Sequence, residues 1–176
     1  MHYLDKAELR RLFQAAYDRN RLHHLAMVVA LWHGIRVTEL TSILASDVHD
    51  GKLSVRRLKN SNATCQPIHL DADSLFDESP LLELARQAPG NVRLFPFTRQ
   101  RADQFIRRYA AIAGVHPDKA HMHSLKHSVA MLLWDATGNL GQIQSYLGHK
   151  AASSTLIYLA EADARKAQMA IASITI

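Results

Sequence analysis

Three features near the carboxyl end of the chain carry side chains suited to chemistry on phosphate. Residues 123–127 read HSLKH, residues 147–149 read LGH, and Tyr158 follows shortly after. A phosphodiester is negatively charged, and its transition state gathers more charge on the non-bridging oxygens. Its cleavage therefore needs preorganised cations, a nucleophile and an acid for the leaving alkoxide. Lysine, imidazole and a tyrosine hydroxyl can supply these groups.

Two segments nearer the amino terminus add to this set. Residues 33–40 read HGIRVTEL and include Arg36, and residues 57–60 read RLKN and include Lys59. An arginine fork can bind two phosphate oxygens, and an ammonium on a mobile stem suits the acid role. Each motif alone is weak evidence. Together and in this order, the motifs resemble the catalytic boxes of the tyrosine recombinases, also called phage-type integrases, over nearly the whole chain.

The resemblance implies a mechanism that uses neither metal nor cofactor. Tyr158 is then the nucleophile, and its 3′-phosphotyrosine link conserves the phosphodiester energy, so that religation needs no ATP. Arg36 contacts the phosphate, and Lys59 protonates the leaving 5′-oxygen. By family position, His123 assists deprotonation of the tyrosine or contacts phosphate. His149 donates a hydrogen bond to a non-bridging oxygen.

Glu39 and Lys126 complete the predicted site. Glu39 lies three residues after Arg36, on the same face of a helical turn, where it can hold catalytic side chains as the family's acidic residue does. Lys126 stands where the family almost always has a second arginine, and lysine keeps the charge but loses the bidentate fork. The prediction is a site-specific recombinase. The alternatives are type IB topoisomerase-like relaxation or a catalytically weakened DNA-binding relative.

Several of these residues have simpler interpretations when each is considered alone. Tyr158 could be a core aromatic, and His149 could be a surface histidine after a helix end. His121, His123 and His127 offer imidazole ligands for zinc, since the last two lie on one helical face. The family uses these positions without metal, so we predict no metal site.

Composition agrees with a protein that binds double-stranded DNA. The 176 residues are 48% hydrophobic, enough for one substantial core, and 21 Lys and Arg against 16 Asp and Glu give a formal net charge of +5. A basic balance suits a polyanion, although it also simply favours solubility. The arginines predicted to contact DNA are Arg56, Arg57, Arg99, Arg101, Arg107 and Arg108.

Cysteine content and hydropathy indicate the compartment. The single cysteine, Cys65, cannot form an intramolecular disulfide, which favours a reducing environment. The sequence has no run of about 20 apolar residues and no secretory signal at its start. We therefore expect a cytoplasmic protein.

The sequence patterns predict a mainly α fold with a small β-hairpin, the catalytic-domain fold of the tyrosine recombinases. Strands over 52–58 and 65–70 are expected to flank a turn that carries Lys59. Helices are predicted from a capping box at Asp5 and Glu8, over 23–33, from Thr38, from Asp73 to Pro89, from Thr98 to Ala113, over 123–136, over 140–147, and from Thr155 onward.

We expect one catalytic domain over residues 1–176, without the amino-terminal domain that helps most family members to clamp DNA. Residues 160–176 are predicted to form a carboxy-terminal helix that docks on its own domain or on a neighbouring protomer. Related segments dock in that second way within tetramers on paired DNA sites, so a homo-tetramer on DNA is expected, with a monomer possible when free. The HGIRVTEL and RRLKN stretches particularly resemble the small fimbrial-switch invertases of bacteria. An integrase of a phage or mobile element fits almost as well.

Overall fold

The computed structural model describes residues 3–58 and 61–151 and the isolated positions 153, 156 and 171. Lys59, Tyr158 and the predicted helix over 160–176 lie outside these residues, apart from position 171. The strands of the described part are β1 (Val48–His49), β2 (Lys52–Val55) and β3 (Thr64–Pro67). Its α-helices are α1 (Lys6–Tyr17), α2 (Arg21–Trp32), α3 (Val37–Leu40), α4 (Ser79–Gln87), α5 (Arg99–Ile112), α6 (Met122–Thr137) and α7 (Leu140–Tyr146).

The start of α1 is the predicted capping box. Asp5 Oδ1 accepts from the Glu8 backbone N–H at 2.8 Å, and Glu8 Oε2 accepts from the Asp5 N–H at 2.9 Å. Helix α2 packs against both α1 and α6 and is buried on nearly every side, so it forms the centre of the core. It ends at Trp32, and Gly34 then adopts the left-handed conformation that turns the chain away.

Three short antiparallel strands form a sheet in the order β1-β2-β3. Asp50 and Gly51, with φ values of 50° and 69°, make the tight turn between the first two strands. Strands β2 and β3 form the predicted hairpin, which ends where Val55 pairs with Thr64. Both strands are shorter than predicted, and β1 is an element that the patterns did not indicate.

Three predicted helix starts are wrong. Helix α2 begins at Arg21 and not at residue 23. Helix α3 begins after Arg36 and not at Thr38. The helix predicted from Asp73 begins only at Ser79. Before it, the carboxylates of Asp73 and Asp77 each accept from the backbone N–H two residues further on, both at 3.1 Å. Such local bonds compete with helical ones, which delays the helix.

Helices α5 and α6 border the region where the catalytic motifs meet. Thr98 caps α5 as predicted, and its hydroxyl accepts from the Arg101 backbone N–H at 3.1 Å. Helix α6 carries the HSLKH motif in its first turns and ends at Gly138, whose φ of 59° is left-handed. Among the helices that the structure describes, none is long and apolar enough to cross a membrane.

Candidate active site

Arg36 and Glu39 form a fixed pair at the start of α3. The Glu39 carboxylate accepts from the Arg36 backbone N–H at 2.8 Å, from Arg36 Nη1 at 2.8 Å and from the Leu58 N–H at 2.9 Å. Burial alone would raise the pKa of Glu39, but these bonds and the Arg57 charge hold it below its ordinary value. The Arg36 side chain is 26% exposed. Its Nε and Nη2 make no hydrogen bond within the described part of the chain, so that edge can meet two phosphate oxygens.

Arg57 is not a DNA-facing arginine, so the prediction for this residue is wrong. Its side chain is fully buried, and its guanidinium donates to the carbonyls of His33 at 2.6 Å and Gly34 at 3.1 Å. Nε donates to Thr64 Oγ1 at 3.0 Å, and Nη1 lies 3.5 Å from Glu39 Oε2. Burial lowers the pKa of Arg57, against the effect of the carboxylate. The side chain therefore braces the turn that precedes α3.

Lys126 is buried beside Arg36 and Glu39. The residue is 2% exposed, and its Nζ has no hydrogen-bond partner among the described residues. Burial first, and then the charges of Arg36 and Arg57, lower the pKa of the ammonium to about 7, while Glu39 opposes them. A buried polar group without a partner is costly. An anionic group held between this amine and the guanidinium of Arg36 would satisfy both.

His149 lies in the same cluster and is 7% exposed. Burial first, and then the charges of Lys126, Arg36 and Arg57, lower its pKa to about 4. The ring is therefore neutral at pH 7 and carries one N–H. A neutral imidazole beside two or three cations is suited to donating a hydrogen bond to an oxygen anion.

The turn that presents His149 is joined to the β2–β3 hairpin. Gly148 has a φ of 69°, and a Cβ there would lie 2.5 Å from the carbonyl oxygen of Asn62, so glycine is required. The Asn62 N–H donates to the Gly148 carbonyl at 2.7 Å, and Ser61 forms a β-bridge with His149. These contacts join Ser61 and Asn62, just before β3, to the His149 turn.

His123 and His127 stack edge-to-face in the first turns of α6, with ring centroids 4.2 Å apart. Desolvation and the charge of Lys126 lower the pKa of His123, which lies at the surface. Burial lowers the pKa of His127 to about 3. Among the residues that the structure describes, no three His, Cys, Asp or Glu side chains are grouped so as to hold a metal ion.

An open cleft of about 660 Å³ extends from the cluster to α5. Arg36 and His123 line it on the side of the site, and Arg99, Asp103 and Arg107 line it from α5. The last three residues are spaced one turn apart, so they share one face of the helix. This face carries the two basic side chains that adjoin the site.

The other predicted DNA-binding arginines are placed differently. Arg101 and Arg108 are exposed on another side of α5, near His23 and Tyr109. Burial first, and then these two charges, lower the pKa of His23. Arg56 is exposed just after β2. The arginines of α5 therefore form two surfaces, and of these four only Arg99 and Arg107 face the cleft.

A buried polar group behind the site was missed by sequence reasoning. His33, Gln66 and Glu78 are all nearly or fully buried, and the hydroxyl of the half-buried Tyr146 donates to the Trp32 carbonyl at 2.6 Å. A signal was present in the sequence, since a glutamine at a core-facing position of a strand needs a partner. The predicted acid and nucleophile lie outside the described residues, so their roles stay predictions.

Comparison with known proteins gives the family. The sequence model of the "Phage integrase family" matches residues 2–165. The chain belongs to the phage integrase family. It is 32% identical to the tyrosine recombinase XerD of Xanthomonas campestris pv. campestris over 141 residues, which cover 71% of this chain and 43% of that protein. It is 28% identical to the type 1 fimbriae regulatory protein FimE of Escherichia coli K12 over 180 residues, which cover 93% of this chain and 87% of FimE. The chain therefore spans less than half the length of XerD.

Solved structures agree with this assignment. The crystal structure of XerA recombinase superposes with a TM-score of 0.72 at 26% identity, covering 90% of this chain and 58% of that one. A lambda integrase tetramer bound to a Holliday junction gives a TM-score of 0.70 at 24% identity, covering 88% of this chain and 47% of that one, and shows the shared fold. The predicted tyrosine recombinase catalytic-domain fold, mainly helical with a small sheet, is confirmed.

Proposed function

We propose that this integrase-family chain cleaves and rejoins double-stranded DNA at specific sites through a 3′-phosphotyrosine intermediate on Tyr158. The observation that carries the proposal is the cluster of Arg36, Lys126 and His149. Within residues 3–58 and 61–151, it offers one guanidinium edge that makes no hydrogen bond, one buried amine without a hydrogen-bond partner, and one neutral imidazole. The three groups lie close enough for both cations to lower the pKa of His149. Such donors, fixed in a poorly hydrated place, stabilise charge that develops on phosphate oxygens.

The proposed step is an in-line transfer of the phosphoryl group. The Tyr158 oxygen attacks phosphorus and loses its proton, with assistance from His123. The bond from phosphorus to the 5′-oxygen breaks, and Lys59 gives that oxygen a proton. Arg36 and the charged form of Lys126 neutralise the non-bridging oxygens throughout. Attack by a 5′-hydroxyl on the phosphotyrosine reverses every transfer and rejoins the strand.

We assign the DNA duplex to the cleft between the site and α5. Arg99 and Arg107 face this cleft, and arginines spaced along one helix face suit successive contacts with a phosphate backbone. The tetramer of lambda integrase on a junction supports a homo-tetramer of this chain on paired sites, which we propose together with a cytoplasmic location. The likeness to FimE over most of both chains supports a sub-type similar to the fimbrial-switch invertases.

Covalent trapping tests the proposal. The wild-type protein, Tyr158→Phe and Tyr146→Phe are incubated with nicked duplexes that tile the DNA on either side of the gene, and the products are separated on a denaturing gel. We expect a protein–DNA adduct for the wild type and for Tyr146→Phe, and none for Tyr158→Phe. Tyr146 is the matched control, because its hydroxyl is already bonded to the Trp32 carbonyl and burial raises its pKa to about 12.

Two outcomes would contradict the proposal. An undiminished adduct in the Tyr158→Phe protein would exclude this residue as the nucleophile. The absence of an adduct from every duplex, with a folded wild-type protein that binds the DNA, would favour the weakened DNA-binding relative. Relaxation of any supercoiled plasmid without a defined site would instead indicate topoisomerase-like activity.

A further inference from the structure

His33 and Glu78 are two almost completely enclosed titratable side chains behind the site. The His33 ring is 1% exposed and its Nδ1 is hydrogen-bonded, whereas its Nε2 makes no hydrogen bond with the described residues, although a carboxylate lies close to it. Nδ1 lies 2.9 Å from Gln66 Oε1, and Nε2 lies 3.1 Å from Glu78 Oε1, whose side chain is fully buried. The Glu78 carboxylate is itself held by the His69 backbone N–H at 2.8 Å. None of these groups reaches the cleft, so the mechanism above does not use them directly.

The His33 backbone is tied to the turn that presents Arg36. The carbonyl of His33 accepts from Arg57 Nη2 at 2.6 Å, and the next carbonyl, that of Gly34, accepts from Arg57 Nη1 at 3.1 Å. Arg57 in turn contacts Glu39, which fixes the Arg36 guanidinium. The position of the Arg36 fork therefore depends on where the His33–Gly34 turn sits.

The His33 ring is also tied to the turn that presents His149. Gln66 accepts from the ring through its oxygen and donates through Nε2 to the Tyr146 carbonyl at 2.9 Å. Tyr146 is the last residue of α7, three residues before His149. A second contact runs in parallel, because a Cβ at Gly34 would lie only 2.4 Å from the side chain of Leu147. One polar bridge and one close backbone approach thus join the two turns.

We propose that His33, acting through Gln66, is a positioning residue that fixes the distance between the Arg36 turn and the His149 turn. This inference rests on the proposed function, in which both turns contact the same phosphate. A displacement of about 1 Å in such an arrangement is enough to slow a reaction about 100-fold. The competing explanation is a hydrogen-bonded core histidine that contributes to folding stability alone.

The test uses variants that break the bridge by different routes and one that leaves it intact. Gln66→Met keeps the length of the side chain and removes both hydrogen bonds, and His33→Leu removes the ring. His24→Leu is the matched control, since His24 is another buried histidine and, within the described residues, its ring hydrogen-bonds to the Leu75 carbonyl and not to either turn of the site. Each protein is compared for unfolding in urea, for DNA affinity, and for the rate of adduct formation at saturating DNA.

The decisive measurement is the titration of His149 by NMR of ring-labelled histidine, without DNA. In the wild type, burial and the neighbouring cations hold this pKa at about 4. We expect Gln66→Met to raise it by at least about one pH unit, because a displaced turn is better hydrated and further from the cations. The rate of adduct formation should fall about tenfold or more with affinity nearly unchanged. His24→Leu should lose stability while keeping both the pKa and the rate.

An unchanged His149 pKa in a folded Gln66→Met protein would overturn the proposal, whatever its rate of adduct formation. If His33→Leu does not fold, Gln66→Met alone decides. A wild-type protein that forms no adduct would refute the proposed function instead, and the titration would still test the positioning role.

Discussion

Replacing Lys126 tests the central feature of the site, a buried amine whose charge depends on its surroundings. Its pKa is lowered from 10.5 to about 7 in the folded protein, first by burial and then by Arg36 and Arg57. At any pH between these two pKa values, the unfolded chain binds more protons at Lys126 than the folded protein does. The contribution of this group to the free energy of unfolding therefore rises with pH, from its most unfavourable value below pH 7.

The expected magnitude follows from the two pKa values. At about 1.4 kcal/mol for each pKa unit, the difference between the two pKa values lowers the free energy of unfolding by about 5 kcal/mol at low pH. About 2 kcal/mol of this loss of stability is recovered between pH 7 and pH 9. Lys126→Met keeps an unbranched side chain and removes the titration. We expect this variant to exceed the wild type in stability by about 4 kcal/mol at pH 7 and by about 2 kcal/mol at pH 9.

Urea unfolding of both proteins at pH 7, 8 and 9 and constant ionic strength measures this difference. The site histidines do not interfere, because the pKa values of His123, His127 and His149 are all lowered and these rings are neutral throughout. Lys126→Arg is the control, since guanidinium stays charged and its difference from Lys126→Met should not change with pH. Parallel pH profiles for the wild type and Lys126→Met would refute the reasoning.

The same group should couple DNA binding to proton uptake. A phosphate beside Nζ favours the ammonium form, so its pKa rises on binding. In a Tyr158→Phe background, which prevents cleavage, the Kd should increase up to about tenfold for each pH unit above 7. Adding Lys126→Arg or Lys126→Met should flatten this dependence. A wild-type slope equal to theirs would show that Lys126 is not at the phosphate.

Three further substitutions test the supports of the site. Gly148→Ala should destabilise the protein by about 2 kcal/mol or more in urea unfolding, because the φ of Gly148 is left-handed and the new Cβ would meet the Asn62 carbonyl. A variant as stable as the wild type would contradict the observed turn. Arg57→Met should cost about 3 kcal/mol in the same assay, since it leaves the buried carbonyls of His33 and Gly34 without this donor and removes the charge beside the Glu39 carboxylate. A loss below about 0.5 kcal/mol would mean that Arg57 does not hold the turn before α3 in place. Arg107→Ala should weaken DNA binding and reduce the steepness of log K against log salt concentration by about 0.9, because Arg107 lines the cleft. Arg108→Ala, at the adjacent position, is the control and should keep the wild-type slope. Equal slopes for the two variants would reject the cleft as the path of the DNA.

The starts of α1 and α5 were predictable because a side chain caps each of these helices, whereas α2 was predicted to begin two residues late although Asn20 caps it. Asp5 and Thr98 start α1 and α5 through bonds to residues three positions on, a pattern visible in sequence. The start of α4 was missed because aspartates before it close local turns first. Strand lengths were overestimated, since β-propensity continues beyond the last ladder pair of Val55 with Thr64.

The residue types of the site were predictable because phosphate chemistry admits few of them. The structural role of Arg57, which holds the turn before α3 in place, was not predicted. Arg56 and Arg57 were both assigned to DNA as basic neighbours. Side chains alternate between the faces of a strand, and Leu53 and Val55 face the core, so alternation places Arg57 inward and Arg56 outward. The alternation of side chains along the strand could therefore have predicted that Arg57 is buried. The identity of the carbonyls that accept from Arg57 could not be predicted, because it depends on tertiary contacts.

Lysine at position 126 has a physical consequence that an arginine there would not have. Arg36 and Arg57 already place two permanent charges beside this buried position, and Arg57 is kept there by its bonds to backbone carbonyls. A third guanidinium would have to remain charged beside these two, with the Glu39 carboxylate already bonded to Arg36, whereas an amine with a pKa of about 7 can release its proton. The lysine thus limits repulsion in the free protein. In the proposed site it would recover its charge when a phosphate binds, so that the charge of the site would depend on bound DNA, at the expense of the bidentate fork of an arginine.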